Sequence, residues 1–263
     1  MEFSLLTYNT LFNKGIESLK KISDIYQPDI ICLQEVDTNE SNLNQVEKLN
    51  YKLADFSNYL IRLGKIFGLA TFYNEKKFYL NNSQMIPIFQ SLLNQILPLL
   101  KVTQGKTINP NFLKTVLIHK QSKKKIIIYN THLPVVGSNN IKIKQIKQVL
   151  NQIDINQKNS VVFAGDFNYL PYGRKNLERL MKSFGFKEAT KNIDYTIKYV
   201  GNLKKLHYNF ISRIIVKAFS KFFTNKLKID YIFYRNLVLK KAKRINIFQS
   251  DHFPIISTFY LPD

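Results

Sequence analysis

The sequence predicts a mixed α/β domain, with mixed β-sheets faced by helices, and three observations predict it. Short runs rich in β-branched and aromatic residues recur from one end of the chain to the other. Segments of helical periodicity separate the early runs, in a β-α-β order that gives way to hairpin-like strands. No internal repeat, low-complexity tract or Gly/Ser-rich linker divides the 263 residues, so one domain over 1–263 is expected.

In chain order, strands are expected at residues 3–8, 30–34, 69–73, 115–119, 126–130, 160–164, 229–234 and 254–260. Helical spacing of apolar residues appears at 16–26, 43–49, 89–99, 141–153, 177–184 and 210–223. Two segments read as insertions on this core. Residues 78–113 hold the apolar helix 89–99, and residues 191–228 hold the helix 210–223. In the latter, Arg213, Lys217 and Lys221 recur every four residues, opposite Phe210, Ile214, Phe219 and Phe222. Such a basic amphipathic helix can line a polyanion groove or lie in a membrane interface, and most often simply covers a core with its cations in water.

Composition narrows the classes. With 45% apolar and 13% aromatic residues the chain can bury a large core, which excludes disorder and coiled coil. Its single cysteine, Cys32, allows no internal disulfide and no cysteine-based zinc site. The first residues lack a basic segment ahead of an apolar one, and the apolar stretch 85–100 is broken by Gln90, Ser91, Asn94 and Gln95. Neither a signal peptide nor a membrane span is expected, and a cytoplasmic monomer is. Lys plus Arg number 39 against 18 Asp plus Glu, a formal charge of +21. Residues 1–100 hold 9 cations and 10 acids, so residues 101–263 hold 30 and 8, an excess of +22. That asymmetry points to a polyanion, either nucleic acid or an anionic phospholipid surface. General richness in Lys, Asn and Ile accounts for part of the count, and less well for the clustering.

The chemically capable residues stand at the ends of the strand-like runs. Asn9 ends the first and Glu35 the second, in Leu33-Gln34-Glu35-Val36; His132 follows the run ending at Asn130. Asp166 and Asn168 follow 160–164 in Gly165-Asp166-Phe167-Asn168, Asp230 opens Asp230-Tyr231-Ile232-Phe233, and Ser250-Asp251-His252 precedes the last strand. Singly, each reads as a cap, a turn residue, an ion pair or a structural histidine. Strands leaving a sheet at one edge can gather such residues from distant parts of a chain.

Taken in order, Asn9, Gln34-Glu35, Thr131-His132-Leu133, Gly165-Asp166-Phe167-Asn168, Asp230-Tyr231 and Ser250-Asp251-His252 resemble the successive motifs of the endonuclease/exonuclease/phosphatase family, metal-dependent phosphoesterases related to deoxyribonuclease I and the neutral sphingomyelinases. The resemblance implies a four-layer α/β sandwich, two mixed sheets face to face with outer helices and a cleft at one edge. It implies Mg²⁺ as cofactor, with Mn²⁺ as a substitute. Glu35 is similar to the magnesium-binding glutamate, Asn9 to the asparagine beside the metal, and Asp251 to a further metal ligand. Asp166 and Asn168 resemble the pair that positions and activates water. His252 resembles the active-site histidine, Asp230 the acid that orients it, and His132 the histidine that donates to a non-bridging phosphate oxygen. Tyr73 and Asn74, in the variable third motif, are candidate substrate contacts.

These roles agree with the needs of phosphate ester hydrolysis: oxygen ligands for a hard cation, a base within reach of water, and donors toward the equatorial oxygens. Whether Asp166 or the Asp230–His252 pair takes the proton is open at this level. The branches of the family differ. His132, and Thr10-Leu11 after Asn9, depart from the abasic-site endonucleases, and the absence of Trp departs from the inositol-polyphosphate phosphatases. Tyr8-Asn9-Thr10-Leu11 and Asp230-Tyr231-Ile232-Phe233 are similar to deadenylase-type exonucleases. A phosphodiesterase acting on nucleic acid is expected first, then a lipid phosphodiesterase docking through 210–223, then a non-catalytic nucleic-acid-binding module.

Overall fold

The computed structural model describes residues 1–90, 105–108, 110–135, 137–154, 156–198 and 226–262. Its strands are β1 (Glu2–Asn9), β2 (Ile30–Asp37), β3 (Lys52–Arg62), β4 (Lys65–Tyr73), β5 (Phe78–Pro87), β6 (Gly105–Thr107), β7 (Asn111–His119), β8 (Lys125–His132), β9 (Ser160–Asp166), β10 (Lys187–Glu188), β11 (Ile197–Lys198), β12 (Lys226–Leu227), β13 (Asp230–Arg235), β14 (Val238–Arg244) and β15 (Ile255–Tyr260). One sheet has the order β14-β15-β1-β2-β4-β3-β6 and the other β10-β13-β9-β8-β7-β5, while β11 and β12 form a short ribbon. Each large sheet has one parallel pair at its centre, β1 with β2 and β8 with β9, among antiparallel neighbours. The helices are Ser18–Tyr26, Glu40–Glu47, Asn139–Leu150 and Arg174–Ser183.

Strand alternation builds the four layers. Because successive side chains point to opposite faces, Phe3 and Leu5 of β1, Ile30 and Cys32 of β2, Ile126 and Ile128 of β8, Val162 and Ala164 of β9 and Ile232 of β13 meet between the sheets. The alternate residues face outward. Leu6, Tyr8, Ile31 and Leu33 pack under Leu19, Ile22, Leu43 and Val46 of the first two helices. Tyr129, Val161, Phe163 and Phe233 pack under Ile146, Val149, Leu177 and Met181 of the other two. Strands with both faces covered carry continuous apolar runs, the pattern by which they are readable in the sequence.

The same alternation sets the position of the chemistry. Continued along the inward face, β1 goes from Leu5 to Thr7 and Asn9, β8 from Ile128 to Asn130 and His132, and β9 from Ala164 to Asp166. β13 runs the other way, from Asp230 to Ile232. The sandwich interior is therefore apolar at one end and polar at the other. A buried net marks the boundary: Gln34 Nε2 donates to Asn130 Oδ1 at 2.7 Å and to Thr7 Oγ1 at 3.1 Å. Every member of that net is shielded from water, so each polar atom needs a protein partner.

Several expectations change. Residues 78–113 are not an insertion throughout, because 78–87 form β5 and 111–113 begin β7, both strands of the second sheet. β5 is an edge strand with a register shift between Leu80 and Asn82, and its exposed Asn81, Asn82 and Gln84 obscure the apolar alternation. β3 and β14 were not expected either: β3 carries two register shifts, and β14 reads Val-Leu-Lys-Lys-Ala-Lys-Arg, the lysine-rich composition that keeps an edge from pairing with other chains. Beyond Gln90 the expected helix 89–99 lies outside the described residues, as does the whole of 210–223.

Candidate active site

The register brings the expected residues to one edge of the sandwich. His132 pairs with Asp166 across β8 and β9, and Asp166 pairs with Asp230 across β9 and β13. Asn9 pairs with Gln34 across β1 and β2. Gly165 is required by this convergence, since a Cβ there would lie 2.0 Å from the Thr131 carbonyl oxygen, and its φ is +142°.

Glu35 reaches the cluster against the pleat. Simple alternation would turn it outward with Ile31 and Leu33, but the pairing of β2 with β4 slips between Leu33 and Val36, and Glu35 has a φ of +53°. A bulge of this kind re-aims a side chain, and a non-glycine residue in this region is strained unless its surroundings hold it. Here they do. Thr10 Oγ1 donates to the carbonyls of Gln34 and Glu35 at 3.1 and 3.0 Å, and the Asn13 amide donates to the Glu35 carbonyl at 3.1 Å. From the opposite sheet, Asn130 Nδ2 donates to the carbonyls of Leu33 and Ala70 at 3.1 and 3.0 Å, the last regular pair before the slip.

Asn9 Nδ2 stands between two carboxylates, 3.2 Å from Glu35 Oε1 and 3.1 Å from Asp166 Oδ2, while its Oδ1 accepts the Leu11 amide. As folded, Asn9 thus presents its nitrogen rather than an oxygen to the cluster. His132 Nε2 lies 3.4 Å from Asp166 Oδ2 and 3.6 Å from Glu35 Oε1, and its Nδ1 meets the Tyr59 hydroxyl. His252 Nδ1 contacts both oxygens of Asp230, at 3.0 and 2.9 Å, and its Nε2 lies 3.7 Å from Asp166 Oδ2. The Asn168 amide donates to Asp166 Oδ1 at 2.8 Å, and Asn168 Nδ2 to the Leu133 carbonyl at 2.9 Å. Asp251 stands at the mouth, with Oδ1 4.0 Å from His252 Nε2. Ser250 Oγ ties this loop to the end of β1 by donating to the Asn9 carbonyl at 2.8 Å.

Burial and crowding of charge set the protonation. Burial pushes Glu35 up to about 7, against the pull of charged His252 and the Asn9 hydrogen bond. Asp166 is also pushed up, by burial first, then by Asp230 and Glu35, with His252 opposing. Burial, helped by the charge on His252, pushes His132 down to about 3 and keeps it neutral. For His252 burial acts downward, but Asp230 and Asp166 together override it and hold the ring well above its ordinary value. Glu35 and Asp166, both made costly to ionise by burial and both closing on one point, suit a divalent cation. Glu35 Oε2 is buried with no hydrogen-bond partner, and carboxylate oxygens of Asp166 and Asp230 lie within 4.8 Å of each other. These donors fit a hard cation.

Tyr73 and Asn74 are not brought here. Tyr73 pairs with Ile30, at the end of β2 opposite Glu35, and its ring is buried in the inter-sheet core. The Asn74 amide is bonded to the Asp29 carbonyl at that same far end. The expectation of substrate contact fails because β4 runs antiparallel to β2, so its last residues leave the sandwich on the side away from the site.

Tyr59, Lys142 and Arg62 join the site without being among the residues expected there. Tyr59 escaped because β3 was not recognised. Lys142 carried a signal, since it shares a helical face with Gln145, Ile146 and Val149 and so places a cation on the buried side. Its Nζ donates to the Gly137 carbonyl at 3.3 Å, and burial pushes its ammonium down to about 8, opposed by the charge of Asp166. Among the described residues the cations of 101–263 are spread rather than gathered at the cleft: Lys120, Lys123, Lys124 and Lys125 flank the β7–β8 turn, at the far end of β8 from His132. The mouth has Arg62, whose guanidinium lies 3.9 Å over the Phe12 ring and whose charge acts on Glu35.

Comparison with known proteins agrees with this geometry. Residues 6–252 match the sequence profile described as the Endonuclease/Exonuclease/phosphatase family. Over 165 residues, 56% of this chain and 26% of the relative, the sequence is 32% identical to the human protein named 2',5'-phosphodiesterase 12. Over 125 residues, 45% of this chain and 22% of the relative, it is 31% identical to a probable RNA exonuclease, NGL3, of Saccharomyces cerevisiae. The matched segments span about a quarter of the length of these relatives. The fold is that of the human Nocturnin catalytic domain with bound sulfate, at a TM-score of 0.72 and 20% identity, covering 99% of this chain and 95% of that one.

Proposed function

Because the chain belongs to the endonuclease/exonuclease/phosphatase family, we propose that it is a magnesium-dependent phosphodiesterase that cleaves nucleic acid, RNA before DNA. The observation that carries this reading is the buried convergence of Glu35, Asp166, Asp230, His132 and His252 on one point, with Glu35 Oε2 left unpartnered. The names of the two sequence relatives, a 2',5'-phosphodiesterase and an RNA exonuclease, support nucleic acid and RNA in particular. Glu35 would hold the cation, with Asp251 at the mouth as a further ligand. When bound, the cation supplies charge neutralisation at the phosphate and the leaving oxygen.

The chain's own residues do the rest. Asp166, oriented by the Asn168 amide and backed by Asn9, accepts the proton of the attacking water through Oδ2. His252, kept as an imidazolium by Asp230, donates from Nε2 to a phosphate oxygen. His132, neutral, donates from the other side. The Glu35 bulge and the Gln34–Asn130 net hold these groups without rearrangement on binding, which is the condition for such donors to act at full strength. Arg62 at the mouth draws the polyanion in, so affinity falls as salt rises.

The test is a substrate panel with Mg²⁺, with Mn²⁺ and with chelator: a bis-aryl phosphodiester, RNA, a 2',5'-linked oligoadenylate, single- and double-stranded DNA, and sphingomyelin vesicles. Metal-dependent cleavage of RNA or the 2',5'-linked oligomer supports the reading. Hydrolysis in chelator, or of sphingomyelin alone, overturns it.

A further inference from the structure

We propose that Tyr59 is a positioning residue of this site: its hydroxyl donates to Nδ1 of His132 and so fixes the imidazole in the tautomer that carries its proton on Nε2, aimed at the substrate phosphate. The role toward phosphate rests on the reaction proposed above, whereas the tautomer stands independently of it.

Both ends of the imidazole lead to the same assignment. A neutral imidazole has one N–H and one bare nitrogen, and its partners decide which is which. At Nδ1 the partner is a phenol, able to give or accept. A phenol O–H is a stronger acid than a neutral imidazole N–H, and a bare imidazole nitrogen accepts better than a phenol oxygen, so the proton of this bond comes from Tyr59. At Nε2 the neighbours are Asp166 Oδ2 and Glu35 Oε1, at 3.4 and 3.6 Å. The same two oxygens accept hydrogen bonds from Asn9 Nδ2, so a bare Nε2 would face acceptors lone pair to lone pair, whereas an N–H there is attracted by both.

Geometry holds the pair together. Tyr59 is buried on β3 with its ring edge-on to His132, centroids 5.0 Å apart and planes at 76°. The two residues come from different sheets, so the contact spans the mouth of the sandwich. Nε2 is buried without a hydrogen-bond partner in the protein, so its proton is left for a ligand.

The experiment has two arms. In the full ¹⁵N-labelled chain, which has four histidines, long-range ¹H–¹⁵N correlations are expected to show His132 with a protonated Nε2 and a bare Nδ1. In Tyr59→Phe they are expected to show the other tautomer or a mixture. In the kinetic arm, Tyr59→Phe lowers kcat about 10- to 100-fold with KM changed less than about 3-fold. The same change in a His132→Ala background has no further effect, because it acts only through His132. A protonated Nδ1 in the wild type, an unchanged tautomer in Tyr59→Phe, or an equal further loss in the His132→Ala background overturns the assignment. If no substrate of the panel is cleaved, the proposed reaction fails and the first arm still decides the tautomer.

Discussion

Asn130→Leu tests the idea that the second sheet holds the Glu35 bulge of the first. Leucine shares the branch of asparagine at Cγ and is the larger of the two, so the change removes polar atoms and leaves no cavity at this fully buried position. The carbonyls of Leu33 and Ala70 each lose a buried donor, now at 3.1 and 3.0 Å. At about 1.5 kcal/mol for each, those two bonds contribute roughly 3 kcal/mol. Gln34 Nε2 loses its 2.7 Å bond but keeps Thr7 Oγ1 and the Cys32 carbonyl, both at 3.1 Å. That adds about 1 kcal/mol. Burial of the apolar leucine, less the crowding by its larger side chain, recovers about 2 kcal/mol, so the net loss is about 2 kcal/mol. With a urea slope of about 3 kcal/mol per molar for a chain of this size, the midpoint should fall by roughly 0.7 M. Because the lost bonds flank the bulge, Mg²⁺ affinity measured by calorimetry on the still-folded variant should fall at least about fivefold. A midpoint shift below about 0.2 M with unchanged metal affinity would refute the reasoning, since it would mean that the bulge is held from its own sheet alone.

Other outcomes follow from the same geometry. Gly165→Ala places a methyl group 2.0 Å from the Thr131 carbonyl oxygen at a φ of +142°, and should lower stability by about 3 kcal/mol or more in a thermal melt. Glu35→Gln and Asp166→Asn should each lower kcat at least about a thousandfold while the circular dichroism spectrum stays native, and a chelator should reproduce the loss in the wild type until Mg²⁺ is restored. Asp230→Asn removes the charge that holds His252 protonated, so the His252 titration followed by NMR in the metal-free protein should move down in pH. For Lys142 the folded value of about 8 lies below the ordinary 10.5. Between those values the unfolded chain binds more proton than the folded one, so this group's contribution to stability rises with pH through the window. Lys142→Met lacks that rise, so the stability of the wild type relative to the variant should climb from pH 8 to 10.5 in paired melts.

The candidate site was legible to the extent that its chemistry lies on strands buried on both faces. The runs ending at Asn9, Asn130 and Asp166 are apolar enough to declare themselves, and the polar residue closing each stands out against them. Glu35 was visible as a residue but not as a position, because a bulge set by φ and by partners on two other segments turns it into the cluster. Tyr59 was hidden on a strand whose register shifts break the alternation. Tyr73 and Asn74 misled because adjacency to a strand end says nothing of which end faces the cleft until the direction of pairing is known.

By itself the sequence determined the kinds of element, their order, and the set of acids, amides and histidines that could serve a metal-dependent phosphoesterase, since these follow from local periodicity and side-chain chemistry. Only the tertiary structure decided which strand ends share an edge, which nitrogen of His132 meets Tyr59, and that Lys142 is buried behind Asp166. The reason is that strand pairing is a long-range choice. A shift of one residue, or a reversal of one strand, would send every side chain on it to the other face or the other end, and such a choice is made by the packing of the two sheets together rather than by any segment alone.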